Sequence, residues 1–253
     1  METFPYIYQM KAYCIVLTIL LCFSCNPVSE NKEENDLDKR SNTVVKKRDD
    51  GTLSSVNQVD EIGRVHGVRV TYFADGKTVY TKLTFDHGKK HGPSIRYYNN
   101  GQIYEHASFE NGEKHGLTKK YHKNGKLLAE FEYNQGIAMV GLKEYDKEGE
   151  LINSYPTVEF EEVNQLASND RIDLEIHCSE PYNGTKYFLV KGENEKANRT
   201  YLITEKGFAL LQFYIKPGET LSEEIEIMAE IPTEPGNVYV KRYSYHLNAR
   251  NDN

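Results

Sequence analysis

Gly112-Glu113-Lys114-His115-Gly116-Leu117-Thr118-Lys119-Lys120-Tyr121-His122-Lys123-Asn124-Gly125-Lys126 is the stretch on which the fold turns, because the chain writes it more than once. Reading back toward the N-terminus, Gly88-Lys-Lys-His91-Gly92 leads to Tyr97 and Asn100-Gly101, and Gly63-Arg-Val-His66-Gly67 leads to Tyr72 and Asp75-Gly76. A worn fourth copy follows, with Gly136, Tyr145 and Glu148-Gly149 retained but Met139 and Val140 where the His-Gly pair belongs. The period is about 24 residues, and self-similarity of that length predicts a stack of small supersecondary units, each burying its face against the next.

Within each copy, apolar residues alternate up to the turn dipeptide and away from it: Val68, Val70, Tyr72, then Val79, Thr81, Leu83, Phe85. Ile95 and Tyr97 precede Ile103, Ala107 and Phe109, and Leu117 and Tyr121 precede Leu127, Ala129, Phe131 and Tyr133. Alternation interrupted by Asn-Gly or Asp-Gly is a hairpin signal, so the repeats predict an antiparallel meander. One face is expected to carry the Tyr/Phe/Leu ladder, and the other Lys, Arg, Glu and Thr as a solvated surface, Glu105, Lys119 and Lys120 included. The glycines at 63, 67, 76, 88, 92, 101, 112, 116, 125, 136 and 149 are read as turn residues, with Asp75-Gly76, Asn100-Gly101 and Asn124-Gly125 in type I′ turns. The row Tyr72, Tyr97, Tyr121 and Tyr145 is read as core; the competing reading is an exposed strip that grips a glycan or an extended peptide.

The pattern Gly-x-x-His-Gly, five residues to Tyr, then Asn-Gly-Lys resembles the bacterial variant of the MORN repeat over residues 51–155. The resemblance implies a hairpin repeat sheet and an association with scaffolding near membranes. Similar bacterial proteins are often labelled as antitoxin components of toxin–antitoxin systems, which implies a partner to neutralise.

Upstream, Ala12–Ser24 is an apolar run that follows Lys11, too short to span a bilayer as a helix, and it reads as the core of a secretory signal over residues 1–24. Translation from Met10 would give a more ordinary signal than translation from Met1. Leu21-Cys22-Phe23-Ser24-Cys25 resembles a bacterial lipobox, which implies acylation of Cys25; the alternative is ordinary cleavage nearby with Cys25 incidental. Acyl chains contribute about 0.8 kcal/mol per buried methylene, so several on one cysteine would hold the protein to a membrane. Residues 25–50 are polar, charged in both signs, and read as a flexible tether, with a degenerate half-repeat beginning near Asp50-Gly51.

After residue 155 the period ends. Runs at Thr157–Val163, Arg171–Cys178, Thr185–Val190, Thr200–Thr204, Phe208–Ile215, Glu223–Ile231 and Val238–Leu247 predict a small β-sandwich-like domain over 156–253. The fold class is all-β throughout.

A net charge of −7 and a pI near 5.7 argue against a nucleic-acid partner. Cys14 and Cys22 would leave with the signal, so Cys178 remains as a lone thiol, read as structural. His66, His91 and His115 invite a metal site, but equivalent residues of successive hairpins lie about 9.5 Å apart, twice the strand spacing, and cannot share one ion. His87 and His122 stand nearer to that row, so a mixed pair is conceivable, though nothing in the spacing supports one. No cofactor, metal or catalytic residue is expected. The sequons Asn183-Gly-Thr185 and Asn198-Arg-Thr200 are read as chance. The sequence predicts an exported, lipid-anchored binding or scaffold protein of the bacterial cell envelope, periplasmic or surface-exposed, whose partner is a protein or a glycan. The alternatives are an antitoxin or immunity-type protein and a glycan- or peptidoglycan-binding accessory module.

Overall fold

A computed structural model describes residues 42–180, 184–192, 198–205 and 207–253. The signal segment, Cys25 and the first part of the tether lie outside the described residues. Among those described, one long antiparallel sheet contains β1 (Asn42–Lys47), β2 (Leu53–Val59), β3 (Val65–Tyr72), β4 (Val79–Asp86), β5 (Lys89–Tyr97), β6 (Ile103–Glu110), β7 (Glu113–Lys114), β8 (Gly116–Tyr121), β9 (Leu127–Asn134), β10 (Ile137–Ala138), β11 (Lys143–Tyr145) and β12 (Leu151–Ile152). Spatial order follows chain order, with β7 paired to β6 and β10 to β9 as short bulged extensions. The sheet starts earlier than the 25–50 tether allowed: β1 carries the adjacent pair Val44-Val45, is exposed along its length, and pairs with β2 through Val45 and Val56.

Two kinds of turn alternate along the meander, and their types are the reverse of the expectation. His87-Gly88, Asn111-Gly112 and Gln135-Gly136 have positive φ at both residues, as two-residue type I′ turns require. At Asp75-Gly76, Asn100-Gly101 and Asn124-Gly125 only the glycine is left-handed. There the Asp or Asn stays on the ordinary side of φ because its side chain is used as an acceptor. Asp75 Oδ1 takes the N–H groups of Lys77 and Thr78 at 2.9 Å each, and Asn124 Oδ1 takes that of Lys126 at 3.0 Å. Gly76 also sits where a Cβ would lie 2.7 Å from the Leu53 backbone nitrogen, so successive hairpins pack turn against turn.

The expected division into an apolar and a polar face is half right. The outgoing strands β4, β6 and β9 do turn Phe85, Phe109, Phe131 and Tyr133 to the inner face. The incoming strands turn inward one residue out of phase with the prediction, because Gly67, Gly92 and Gly116 lie opposite Phe85, Phe109 and Tyr133. Arg69, Thr71, Ser94, Arg96, Thr118 and Lys120 therefore point inward, while Val68 and Leu117 are exposed. A glycine thus pairs opposite each ring, and a cation lies over the ring: Arg69 over Phe85 at 4.8 Å, Lys90 over Phe109 at 4.9 Å, Lys114 over Tyr133 at 5.1 Å. Glu105, expected on a solvated face, is buried between Arg96 at 3.1 Å and Lys114 at 3.2 Å.

The remaining strands build the sandwich. They are β13 (Val158–Gln165), α1 (Leu166–Asn169) as a single turn of helix, β14 (Arg171–Cys178), β15 (Lys186–Val190), β16 (Arg199–Leu202), β17 (Thr204–Glu205), β18 (Phe208–Tyr214), β19 (Thr220–Pro232) and β20 (Val238–Arg250). One sheet runs β13-β14-β18-β17 and the other β16-β15-β19-β20. Ile172, Leu174 and Ile176 of the first meet Tyr187, Ile225, Ile227 and Leu247 of the second in one apolar cluster. Cys178 is a free, buried thiol in that cluster and accepts a hydrogen bond from Tyr187 Oη at 3.5 Å.

The worn fourth repeat is the joint between the two parts. Ala138 packs with Phe188, Val190, Met228 and Val240, and Tyr155 stacks on Tyr239 at 4.1 Å. Glu144, buried, accepts from Thr233 Oγ1 and Asn237 Nδ2 at 2.6 Å each and from Tyr155 Oη at 3.2 Å. Lys120 Nζ donates to the Gly236 carbonyl at 3.2 Å. A consensus His-Gly pair would put an exposed polar turn at Met139 and Val140, beside this seam.

Candidate functional site

Tyr72, Tyr97 and Tyr121 each end an incoming strand at a β-bulge, where the register shifts between Thr71 and Tyr72, Arg96 and Tyr97, and Lys120 and Tyr121. The bulge takes these three side chains out of the alternation; they and Tyr145, which pairs in regular register with Leu151, are half-buried and not core. Their carbonyls, in contrast, have a regular job. Arg48 donates to the Tyr72 carbonyl at 2.7 Å, Tyr98 Oη to that of Tyr121 at 2.8 Å, and His122 Nε2 meets that of Tyr145 at 2.9 Å. The donor is the residue beside the turn of the preceding repeat, so these bonds tie each turn to the next.

At one step of that ladder the corresponding residue is Phe73, which has no side-chain donor. Here the turn-bearing edge of the sheet opens into a shallow groove of about 420 Å³ lined by Phe73, Tyr80, Tyr97, Tyr98 and Tyr104 with Arg96 and Lys123. Phe73 and Tyr80 meet edge to face at 4.9 Å, and Tyr98 and Tyr104 do so at 5.0 Å. Arg96 lies over the Tyr104 ring at 4.6 Å while holding Glu105, and Lys123 lies over Tyr98 at 5.8 Å. Tyr80 is 40% exposed, so an apolar ring face is open to a ligand between two cations.

The residues that line this groove were only partly visible in the sequence. Tyr97 belongs to the predicted row, but Phe73, Tyr80, Tyr98 and Tyr104 follow members of that row by one to eight positions. The available signal was the doubled aromatic at Tyr72-Phe73 and Tyr97-Tyr98, which the third copy replaces by Tyr121-His122. The eleven glycines read as turn residues all have positive φ, but Gly67, Gly92 and Gly116 have it inside strands β3, β5 and β8, opposite ring-bearing residues of the next strand, and not in turns.

The histidines are arranged differently from a simple row. Asp86 lies between repeats, with His66 Nδ1 at 3.3 Å and His87 Nδ1 at 2.5 Å from its Oδ1, and the two imidazole rings are 4.5 Å apart. Next along, His115 faces Glu110 at 3.7 Å. The equivalent histidines do not meet, as their spacing implies; the neighbour of His66 is His87, the mixed pair that spacing alone did not support, carried to it by the type I′ turn.

Residues 90–111 and 114–135 match the family described as MORN repeat variant. The two matched segments are the second and third copies, and a MORN repeat variant thus accounts for residues 90–135. No curated protein matches the chain. A stack of such repeats points to a binding or scaffold module.

Proposed function

We propose that the protein is an exported, lipid-anchored binding protein of the bacterial cell envelope, and that the groove between the first two complete repeats is its gripping surface. The observation that carries the binding role is the groove itself: five aromatic side chains and two cations line it on a rigid sheet, with Tyr80 the most open of the rings. Aromatic residues give large contact area at low conformational cost, and the flanking Arg96 and Lys123 suit a partner that presents carboxylates. Export and anchoring rest on Ala12–Ser24 and on Cys25 behind Ser24. No catalytic step is proposed.

The test is affinity capture of the acylated protein from its own membranes with identification of what accompanies it. Tyr80→Ala is expected to release that partner while leaving the melting temperature unchanged, since Tyr80 is exposed. Retention of the partner would move the binding surface elsewhere. Cys25→Ser is expected to shift the protein from the membrane to the soluble fraction; full retention would remove the lipid anchor from the reading.

A second reading, a glycan- or peptidoglycan-binding module, draws on the same walls, because a ring face between edge-to-face pairs also fits a sugar face. Loss of glycan binding in Tyr80→Ala without loss of the captured protein would select it.

A further inference from the structure

The His66–Asp86–His87 cluster is absorbed neither by the groove nor by the repeat geometry. The type I′ turn needs a left-handed residue at position 87, and the sister turns use Asn111 and Gln135 there, with φ of 52° and 47° against 44° for His87. Histidine is thus not what the turn requires. Its effect is to bring a second imidazole to within 4.5 Å of His66. The donor atoms of His66, Asp86 and His87 all lie within 4.8 Å of one another.

Their local bonding adds to the point. The His87 backbone N–H donates to His66 Nδ1 at 3.4 Å, so that nitrogen is an acceptor and carries its lone pair. It stands 3.3 Å from the Asp86 carboxylate oxygen, itself an acceptor. Two lone-pair donors at that separation match the edge of a tetrahedron around an ion with bonds of about 2.0–2.1 Å, where donors sit roughly 3.4 Å apart. His87 Nδ1 and Asp86 Oδ1 share a hydrogen bond at 2.5 Å, so an ion would have to take the place of its proton and open that contact by rotation of these exposed side chains. Two imidazoles and one carboxylate are a borderline donor set, suited to zinc, copper or nickel over calcium or magnesium.

We propose that His66, Asp86 and His87 form a binding site for a divalent transition-metal ion of the zinc class, with the fourth position open toward solvent. The three ligands come from β3, the end of β4 and the turn after it, so the ion would pin the first hairpin to the second at the edge opposite the aromatic turns. Among the described residues the constellation occurs once: the equivalent positions in the next step are Glu110, Asn111 and His91, with one imidazole in place of two.

The experiment is isothermal titration of the full chain with zinc, with cobalt(II) as a spectroscopic substitute. One saturable zinc equivalent is expected, with the intense visible cobalt bands of a four-coordinate site and no sulfur charge-transfer band. His87→Asn keeps the residue that the sister turn uses, so it folds. It should weaken zinc by more than the roughly 10-fold that loss of a supporting outer partner costs. His66→Gln should do the same, and His115→Asn should not. Absence of saturable zinc binding, equal binding by His87→Asn, or a cobalt spectrum showing thiolate ligation would each overturn the proposal.

Discussion

In the sandwich, Ile172, Leu174, Ile176, Ile227, Ile231 and Leu247 are withdrawn from solvent between two sheets. Among the described residues, the repeat sheet has no second layer for most of its length. Its inner face holds Phe85, Ala107, Ala129 and Phe131, but the spaces between them are taken by Asn57, Ser94, Glu105, Thr118 and Lys120. The first part is stabilised by what it removes from water, the second by pairing each unit with its neighbour through ladders, cation-covered rings and side chains that reach one repeat forward. A sheet built that way keeps both faces and its turn edge available, which is what a binding surface needs and what a core forbids.

The contrast predicts unequal costs for the same kind of truncation. Ile227→Ala, at a fully buried site of the sandwich, is expected to lower stability by about 2–5 kcal/mol. Leu83→Ala, half-buried between Arg69 and Ser94 in the repeat sheet, should cost clearly less, because neighbouring long side chains can close over the gap. Denaturant titration of the two variants checks this, and equal losses would mean that the repeats own a core comparable to the sandwich.

The seam between the two parts comes next. Glu144→Ala removes a buried acceptor and leaves Thr233, Asn237 and Tyr155 with unmet donors, at about 2–3 kcal/mol. Calorimetry should then resolve two transitions where the parent shows one. A single, merely lowered transition would mean that the apolar contacts of Ala138 and Tyr155 couple the parts without the carboxylate.

Within the repeats, Gly112→Ala isolates the turn. A methyl at Gly112 would touch nothing within 4 Å, so its cost is that of a left-handed backbone at φ 97°, about 1–2 kcal/mol. Amide hydrogen exchange should show the loss spreading to β6 and β9 and leaving the sandwich unchanged. Spread into the sandwich would contradict the one-dimensional picture of the stack.

The elements themselves were legible in the sequence to an uneven degree. Six of the seven runs named in 156–253 coincide with a strand, because a two-layer core forces alternation of large apolar residues such as Ile172-Leu174-Ile176; the run Thr200–Thr204 divides between β16 and β17, in different sheets. In the repeats the hairpins were legible from Asn-Gly and Asp-Gly, but the facing of the incoming strands was not. Val68, Val70 and Leu117 look like core residues, yet the inner positions go to Gly67, Arg69 and Lys120, because the register pairs Gly67 with Phe85 and Gly116 with Tyr133. Turn type was misread for a related reason: Asp75 and Asn124 were credited with left-handed backbone when their side chains were needed as acceptors. The groove and the His66–Asp86–His87 cluster depend on contacts across a repeat, between residues about 20 to 25 apart, which no local pattern displays.

Those acceptor side chains give the smallest and most selective test. The Thr78 hydroxyl and then the N–H groups of Lys77 and Thr78 hold the Asp75 carboxyl below the usual carboxylate range. Thr52 does the same for Asp50, first through its hydroxyl and then through its backbone, and the Glu150 N–H leads the same effect at Asp146. A carboxyl lowered in the folded state contributes stability that is present above its unfolded value of 3.8 and is lost as pH falls through the lower folded value. Acid should therefore loosen the repeat turns before the sandwich, each exposed group contributing little and the row acting in sum. In Asp75→Asn the side-chain oxygen still accepts but no longer titrates, so the acid loss at that turn should shrink while the turn itself survives. Exchange rates of the Lys77 and Thr78 amides between pH 5 and pH 2.5, corrected for intrinsic exchange, measure this. If the two variants lose protection at the same pH, the turns are held by their glycine geometry alone, and the side-chain acceptors are incidental to the stack.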